Sequence, residues 1–289
     1  MTDFDRVGII GCGTMGSGIA QVCAAAGCQV TVLEVDDAAG TAGLERIGAF
    51  TAGGVSRGKL TEADRDALLS RVSASTDVAA LADCDLVIET VVEDAGVKHT
   101  VLAAAAGVVR PGTVITTNTS AVAVTELAAS VRDPARFAGL HFFNPVPVVE
   151  LVEVVRGLRT ADDVVTSLIA FAERLGKAPV EVKDRPGFLV NRLLIPYLND
   201  VIQAYDDGLA SADDLDVALE LGLGYPTGPL ALLDIIGLDT HEQASRNAYA
   251  GTADPQFAPP PLLRRMVAAG KLGRKSGEGF RVHAEDGTR

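Results

Sequence analysis

The chain has 289 residues, nearly half of them apolar, and a formal net charge of −13. That length suits two domains with a core large enough to need no disulfide or metal staple. The acidic balance argues against nucleic acid and anionic membrane surfaces as partners, and no apolar run reaches the length of a bilayer span. Any phosphate-bearing ligand must therefore be held by local features. The four cysteines, Cys12, Cys23, Cys28 and Cys84, show neither CxxC spacing nor nearby ligand histidines. They read as reduced, buried thiols of a cytoplasmic protein, with no metal site expected. Met1 to Asp5 is acidic and passes straight into a strand-like run, which does not read as a secretory signal.

Arg6 to Ile10 is a short apolar run closed by Gly11, which predicts a first strand. A small-residue helix follows over Gly16 to Ala26, and a second strand over Gln29 to Val35. Thr41 to Arg71 is polar and helical in pattern, and Gly53-Gly54 and Gly58 suggest a helical hairpin projecting from the sheet. Further strands are predicted over Asp85 to Val92, Thr113 to Thr117 and Phe137 to Phe142. This alternation implies an α/β fold, a mostly parallel sheet with helices on both faces. Asp184-Arg185-Pro186-Gly187 marks the change of domain, with residues 1–183 before it and 184–289 after it. Phe188 to Tyr205 has helical spacing, with Pro196 expected to kink it, and the remainder reads as helices and loops. Asp213, Asp214 and Asp216 read as a solvated first turn of a helix, and Pro255 to Pro261 as a rigid connector.

Gly11-Cys12-Gly13-Thr14-Met15-Gly16 is G-x-G-x-x-G. The pattern is weak alone, but here it follows a strand and precedes a helix, the context for dinucleotide binding. Gly11 allows the tight turn, Gly13 lets the backbone approach a pyrophosphate, and Gly16 lets helix and strand pack closely. The helix N-terminus then presents its N–H groups to the phosphates. Glu34, 18 residues past Gly16 at the end of the second strand, suits the adenosine ribose hydroxyls, with Asp36 as its rival. Glu34, Asp36 and Asp37 would repel a 2′-phosphate and no arginine follows to hold one, which favours NAD over NADP.

Four polar residues stand out against apolar neighbours: Ser120 after the fourth strand, His141, Glu153 twelve residues later, and Asn191 near the start of the second domain's first helix. Oxidation of an alcohol by hydride transfer needs a base for the hydroxyl proton, and histidine suits it. A carboxylate on the other ring nitrogen fixes the tautomer and stabilises the imidazolium. Ser120 and Asn191 can hydrogen-bond the substrate oxygens. Each residue also has an ordinary explanation: a structural histidine beside phenylalanines, an exposed strand glutamate, a turn serine, a helix-capping asparagine.

With these residues assembled, the chain resembles the short-chain L-3-hydroxyacyl-CoA dehydrogenase family, whose bacterial members include 3-hydroxybutyryl-CoA dehydrogenases. The resemblance is carried by GCGTMGSGIAQV (11–22), NTSA (118–121), GLHFFNPVPVVELVEVV (139–155), DRPGFLVNRLLIPYLND (184–200), GLGYPTGPLALLDIIGLDT (222–240) and GKLGRKSGEGF (270–280). It implies a Rossmann-like NAD-binding domain with a protruding helical hairpin, and an all-α C-terminal domain for substrate binding and homodimerisation. His141 and Glu153 fall on the family's catalytic pair, and Ser120, Asn144 and Asn191 on its substrate contacts. Gly11, Gly13, Thr14, Met15, Gly16, Glu34, Glu93, Lys98 and Asn118 form the implied cofactor set. The implied activity is NAD-dependent interconversion of a short 3-hydroxyacyl-CoA and its 3-oxoacyl-CoA, within fatty-acid metabolism.

Three positions depart from the pattern. Glu150 stands where many relatives have lysine, and Arg281 where they often have tyrosine. The hairpin stretch Gly48 to Gly54 lacks the basic residues that meet CoA in relatives, leaving Arg57 and Lys59. These changes bear on the CoA handle, so a carrier-bound acyl thioester or a hydroxy sugar acid stands as the alternative substrate. A non-catalytic NAD-binding protein is the reading from another functional class.

Overall fold

The computed structural model describes residues 4–283. The chain divides into two compact units, Met1–Arg185 and Pro186–Arg289. The first holds eight strands: β1 (Arg6–Ile10), β2 (Gln29–Leu33), β3 (Val72–Ser75), β4 (Leu86–Glu89), β5 (Val114–Thr117), β6 (Phe137–Phe142), β7 (Leu151–Arg156) and β8 (Ala178–Lys183). They form one sheet in the order β3-β2-β1-β4-β5-β6-β7-β8. Each neighbouring pair is parallel except β6 and β7, which run antiparallel. Helices α1 (Thr14–Ala25), α2 (Asp37–Ser56), α3 (Glu62–Leu69), α4 (Ala95–Val108), α5 (Val124–Leu127) and α6 (Asp162–Arg174) connect them.

The central strands are runs of Val, Ile and Leu because a sheet covered on both faces offers no polar side. All four residues of β4 are buried, as are all six of β6. β2 stops at Leu33 and β4 at Glu89, short of the predicted Val35 and Val92. Past those points the chain leaves the sheet, and Val35 and Val92 protrude at 88% and 68% exposure. β3 escapes prediction because Val-Ser-Ala-Ser is short, half-exposed and pairs on one side with β2 alone. The hairpin is α2 and α3, but Gly53 and Gly54 lie inside α2; the reversal follows at Gly58, whose φ of +67° suits glycine. Asp184 belongs to the first unit: its carboxylate accepts from the Val124 and Thr125 N–H groups at 3.1 and 2.7 Å, capping α5.

The second unit contains α7 (Val190–Asp206), α8 (Ala212–Leu223), α9 (Pro229–Ile236), α10 (Leu238–Thr252) and α11 (Pro261–Ala268). α7 continues through Pro196 as one helix. Leu198, Ile202, Leu230, Leu233, Leu238 and Leu263 form the centre of its core. Asp216 corrects the expectation of a solvated aspartate triplet. It is 3% exposed, and its two oxygens accept from the Leu230 and Ala231 N–H groups at 2.8 and 2.9 Å. Those are orphan donors at the start of α9, whose N-cap glycine offers no side chain. Asp234, 1% exposed, holds the Phe280 and Arg281 N–H groups, so the glycine-rich stretch near the end of the chain wraps a buried carboxylate. Arg281 itself donates to Asp213 at 2.9 Å, a structural use for the departure from tyrosine.

The fold class is the expected one: a mostly parallel, Rossmann-like sheet with a helical hairpin, followed by a helical unit. Among the described residues no helix is long and apolar enough to cross a membrane.

Candidate active site

The glycine loop is built by backbone contacts that side chains would prevent. Gly11 has φ +91°, donates to the Leu33 carbonyl at 2.9 Å, and accepts from the Thr90 hydroxyl at 2.6 Å. A Cβ on Gly16 would stand 1.9 Å from the Gly11 carbonyl, so close packing of α1 on β1 demands glycine there. A Cβ on Gly13 would meet nothing within 4 Å. The space above Gly13 is open, and Gly13 caps α1 without any side-chain hydrogen bond. Thr14 is exposed and Met15 half-buried on the following turn. The N–H groups of this helix start are thus available to a diphosphate, which is the fit NAD requires.

Glu34 lies against this loop. Its carboxylate accepts from the Cys12 N–H and, at 3.2 Å, from the Val35 N–H. Asp36 does something else: it caps α2, accepting from the Ala39 N–H at 2.7 Å. An arginine does reach the loop, contrary to the linear reading. Arg46 of α2 donates to the Cys12 carbonyl at 2.5 Å. Helical geometry carries it there from well past the β2 end, so adjacency in sequence could not show it. Cys12 is no nucleophile, since burial pushes its thiol up to about 11. Burial does the same to Cys84, and all four cysteines are free and buried.

The central pair follows from sheet register. β6 and β7 run antiparallel with His141 directly opposite Glu153, so both side chains lie on one face. His141 Nδ1 stands 2.7 Å from Glu153 Oε2, with the residues 6% and 1% exposed. The Phe143 ring lies 4.5 Å from the imidazole, centroid to centroid. Asn118 fixes the same strand end: its N–H donates to the Glu89 carbonyl and its Oδ1 accepts from the Phe142 N–H, both at 2.8 Å. Asn144 follows on the exposed side, joined to Pro145 by a cis peptide.

Ser120 is half-buried in the turn after β5, and its hydroxyl makes no hydrogen bond within the described residues. Its backbone N–H donates to Glu93 Oε1 at 3.1 Å, as does that of Ala121 at 2.9 Å. Lys98, on α4, stands 3.2 Å from the other Glu93 oxygen. Burial alone would raise the Glu93 carboxyl, but the Lys98 ammonium and hydrogen bonds from Thr119 and Ala121 together hold it below the ordinary range. Lys98 also reaches Glu89 at 2.9 Å, a buried carboxylate that nothing in the linear pattern marks as part of a site. Asn191 is the second residue of α7, half-buried in the second unit. Among the described residues no group of His, Cys, Asp and Glu has the arrangement to hold a metal ion.

Known proteins place this architecture. Residues 6–185 match the 3-hydroxyacyl-CoA dehydrogenase, NAD binding domain, and residues 187–283 the 3-hydroxyacyl-CoA dehydrogenase, C-terminal domain. A 3-hydroxybutyryl-CoA dehydrogenase of Mycobacterium tuberculosis is 47% identical over 277 residues, covering 95% of this chain and 97% of that protein. A probable 3-hydroxybutyryl-CoA dehydrogenase of Bacillus subtilis is 40% identical, covering 98% and 99%. The crystal structure of (S)-3-hydroxybutyryl-CoA dehydrogenase from Ralstonia eutropha superposes with a TM-score of 0.94 at 43% identity, covering 98% of this chain and 100% of that one. With both domain matches lying end to end along one chain, this protein belongs to the NAD-dependent 3-hydroxyacyl-CoA dehydrogenase family.

Proposed function

We propose that this chain interconverts a short (S)-3-hydroxyacyl-CoA, of the 3-hydroxybutyryl-CoA type, and the matching 3-oxoacyl-CoA, with His141 as general acid and base. The observation that carries the residue roles is the buried His141–Glu153 contact at 2.7 Å across an antiparallel register. Glu153 engages Nδ1 and so directs Nε2 to the substrate hydroxyl. In oxidation His141 takes that hydroxyl proton, and the Glu153 carboxylate stabilises the imidazolium. In reduction the imidazolium returns the proton to the forming alkoxide. NAD, when bound, supplies the hydride acceptor. Gly13 and the start of α1 bind its diphosphate, and Glu34 its adenosine ribose. The Ser120 hydroxyl, Asn144 and Asn191 hydrogen-bond the substrate. The substrate class is supported by the names of the relatives above, which match over nearly their whole length.

A homodimer formed through the second unit belongs to the same reading. Leu193, Leu209, Leu221 and Leu223 are exposed at 67%, 75%, 83% and 59% in that unit, apolar side chains that an interface there would bury. A cytoplasmic location accords with the free thiols.

The test follows NADH absorbance with acetoacetyl-CoA and 3-hydroxybutyryl-CoA, in parallel with the same acyl groups on a carrier protein and with NADPH. Turnover with CoA thioesters and preference for NADH are expected. A much higher kcat/KM for carrier-bound substrate would move the handle away from CoA, and no turnover with any acyl thioester would sink the reading. Sedimentation of the purified chain tests the dimer.

A further inference from the structure

Glu89 ends β4, a strand of otherwise apolar side chains, and is 0% exposed. A carboxylate in such a place is costly unless charge and hydrogen bonds satisfy it. Here they do. Its two oxygens accept from Lys98 Nζ at 2.9 and 3.1 Å, from the Val91 N–H at 2.7 Å and from the Thr117 hydroxyl at 2.6 Å. Lys98 is itself 1% exposed, and its remaining contacts are the Val91 carbonyl at 3.4 Å and Glu93 Oε2 at 3.2 Å. Glu93 then gathers the Thr119 hydroxyl and the N–H groups of Ser120 and Ala121 on its other oxygen. The contacts are continuous from Thr117 through Glu89, Lys98 and Glu93 to the turn that carries Ser120.

One ammonium is shared between two carboxylates, so each sets where the other pulls it. Buried ion pairs add little net stability compared with apolar packing. What this one supplies is position. Without the Glu89 charge, the Lys98 ammonium has Glu93 as its one anionic partner. It would then draw that carboxylate away from the turn N–H groups.

We propose that Glu89 is a positioning residue: by fixing the Lys98 ammonium it holds Glu93, and through Glu93 the turn that sets Ser120 for the acyl thioester. The effect on turnover rests on the dehydrogenase reading above, in which Ser120 contacts the substrate. The relay also has a signature that needs no turnover, the hydrogen-exchange protection of the Ser120 and Ala121 amides.

The test compares wild type with Glu89→Gln, Thr117→Val and the double variant Glu89→Gln/Lys98→Met. Glu89→Gln is expected to lower kcat/KM for the acyl thioester by about a hundredfold, since small displacements of positioning groups carry costs of that order. The comparison is made at saturating NAD, because Lys98 and Glu93 also belong to the implied cofactor set, and protection of the Ser120 and Ala121 amides should fall. Thr117→Val, which removes one hydrogen bond and no charge, should act in the same direction by about threefold. The double variant separates position from a merely structural role. Removing both charges should restore most of Tm, because neither Glu89 nor Lys98 is left as a lone charge in the core, but at saturating NAD it should not restore kcat/KM. Recovery of kcat/KM together with Tm overturns the proposal, as does wild-type kcat/KM with wild-type amide protection in Glu89→Gln. Should Glu89→Gln fail to fold, Thr117→Val decides by the same kinetic and exchange readouts, with unchanged values overturning the proposal. A wild-type enzyme inactive on every acyl thioester would refute the dehydrogenase reading instead, and the exchange measurement would still decide the relay.

Discussion

His141 and His241 are both buried imidazoles with a hydrogen-bonded neighbour, but their neighbours differ in charge. His141 is 6% exposed and meets the Glu153 carboxylate at 2.7 Å. His241 is 4% exposed and meets the Asn199 side-chain oxygen at 3.0 Å. The Asn199 amide nitrogen is already directed at the Gln256 and Ala258 carbonyls, which leaves its oxygen as the acceptor. A neutral amide can fix a tautomer but cannot balance an imidazolium. Burial accordingly pushes His241 down from 6.5 to about 4, so it stays neutral at physiological pH. On the proposed reading, the Glu153 counter-charge, and not burial or hydrogen bonding, is what equips His141 to carry a proton.

The largest expected effect is at His141. His141→Gln should cut turnover by about a thousandfold or more while NAD binding, measured by fluorescence titration, stays intact. Near-normal turnover would break the contrast at its stronger end. Glu153→Gln keeps the shape and removes the charge, and kcat should fall by about a hundredfold. A loss confined to Tm would reduce Glu153 to a structural residue.

The third expectation concerns pH. His241 has a folded-state pKa below its unfolded value, so between 6.5 and about 4 the unfolded chain binds a proton that the folded chain does not. Its contribution is fully present above pH 6.5 and is lost as pH falls toward 4, by at most about 3 kcal/mol. Urea unfolding across that range should show the slope, and His241→Gln, with no proton to gain, should flatten it while keeping kcat. The smallest effect is at Ser245, whose hydroxyl reaches Asn199 Oδ1 at 3.4 Å. Ser245→Ala should cost about 1 kcal/mol in the same unfolding assay and nothing in turnover.

Much of the site was legible because its signals are local. The glycine loop declares itself within six residues, since φ +91° at Gly11 and contact between Gly16 and the Gly11 carbonyl exclude side chains. His141 and Glu153 stood out as polar residues inside apolar runs. Their direct opposition was not legible, because it depends on β6 and β7 being the antiparallel neighbours in an otherwise parallel sheet. Asp216 shows the opposite failure. In sequence it is one of three solvated aspartates, yet it alone of the three is buried, where it serves the start of another helix.

The sequence by itself determined the α/β class, the dinucleotide loop, the hairpin and the family, because glycine conformation, apolar periodicity and motif spacing act over a few residues. Only the tertiary structure decided that Arg46 reaches the Cys12 carbonyl, that Asp36 caps α2 while Glu34 faces the loop, and that Glu89 holds Lys98. Each of these is a meeting of groups from different elements. Charges and hydrogen bonds act through space over a few ångströms, and that distance is set when the sheet assembles, not by position along the chain.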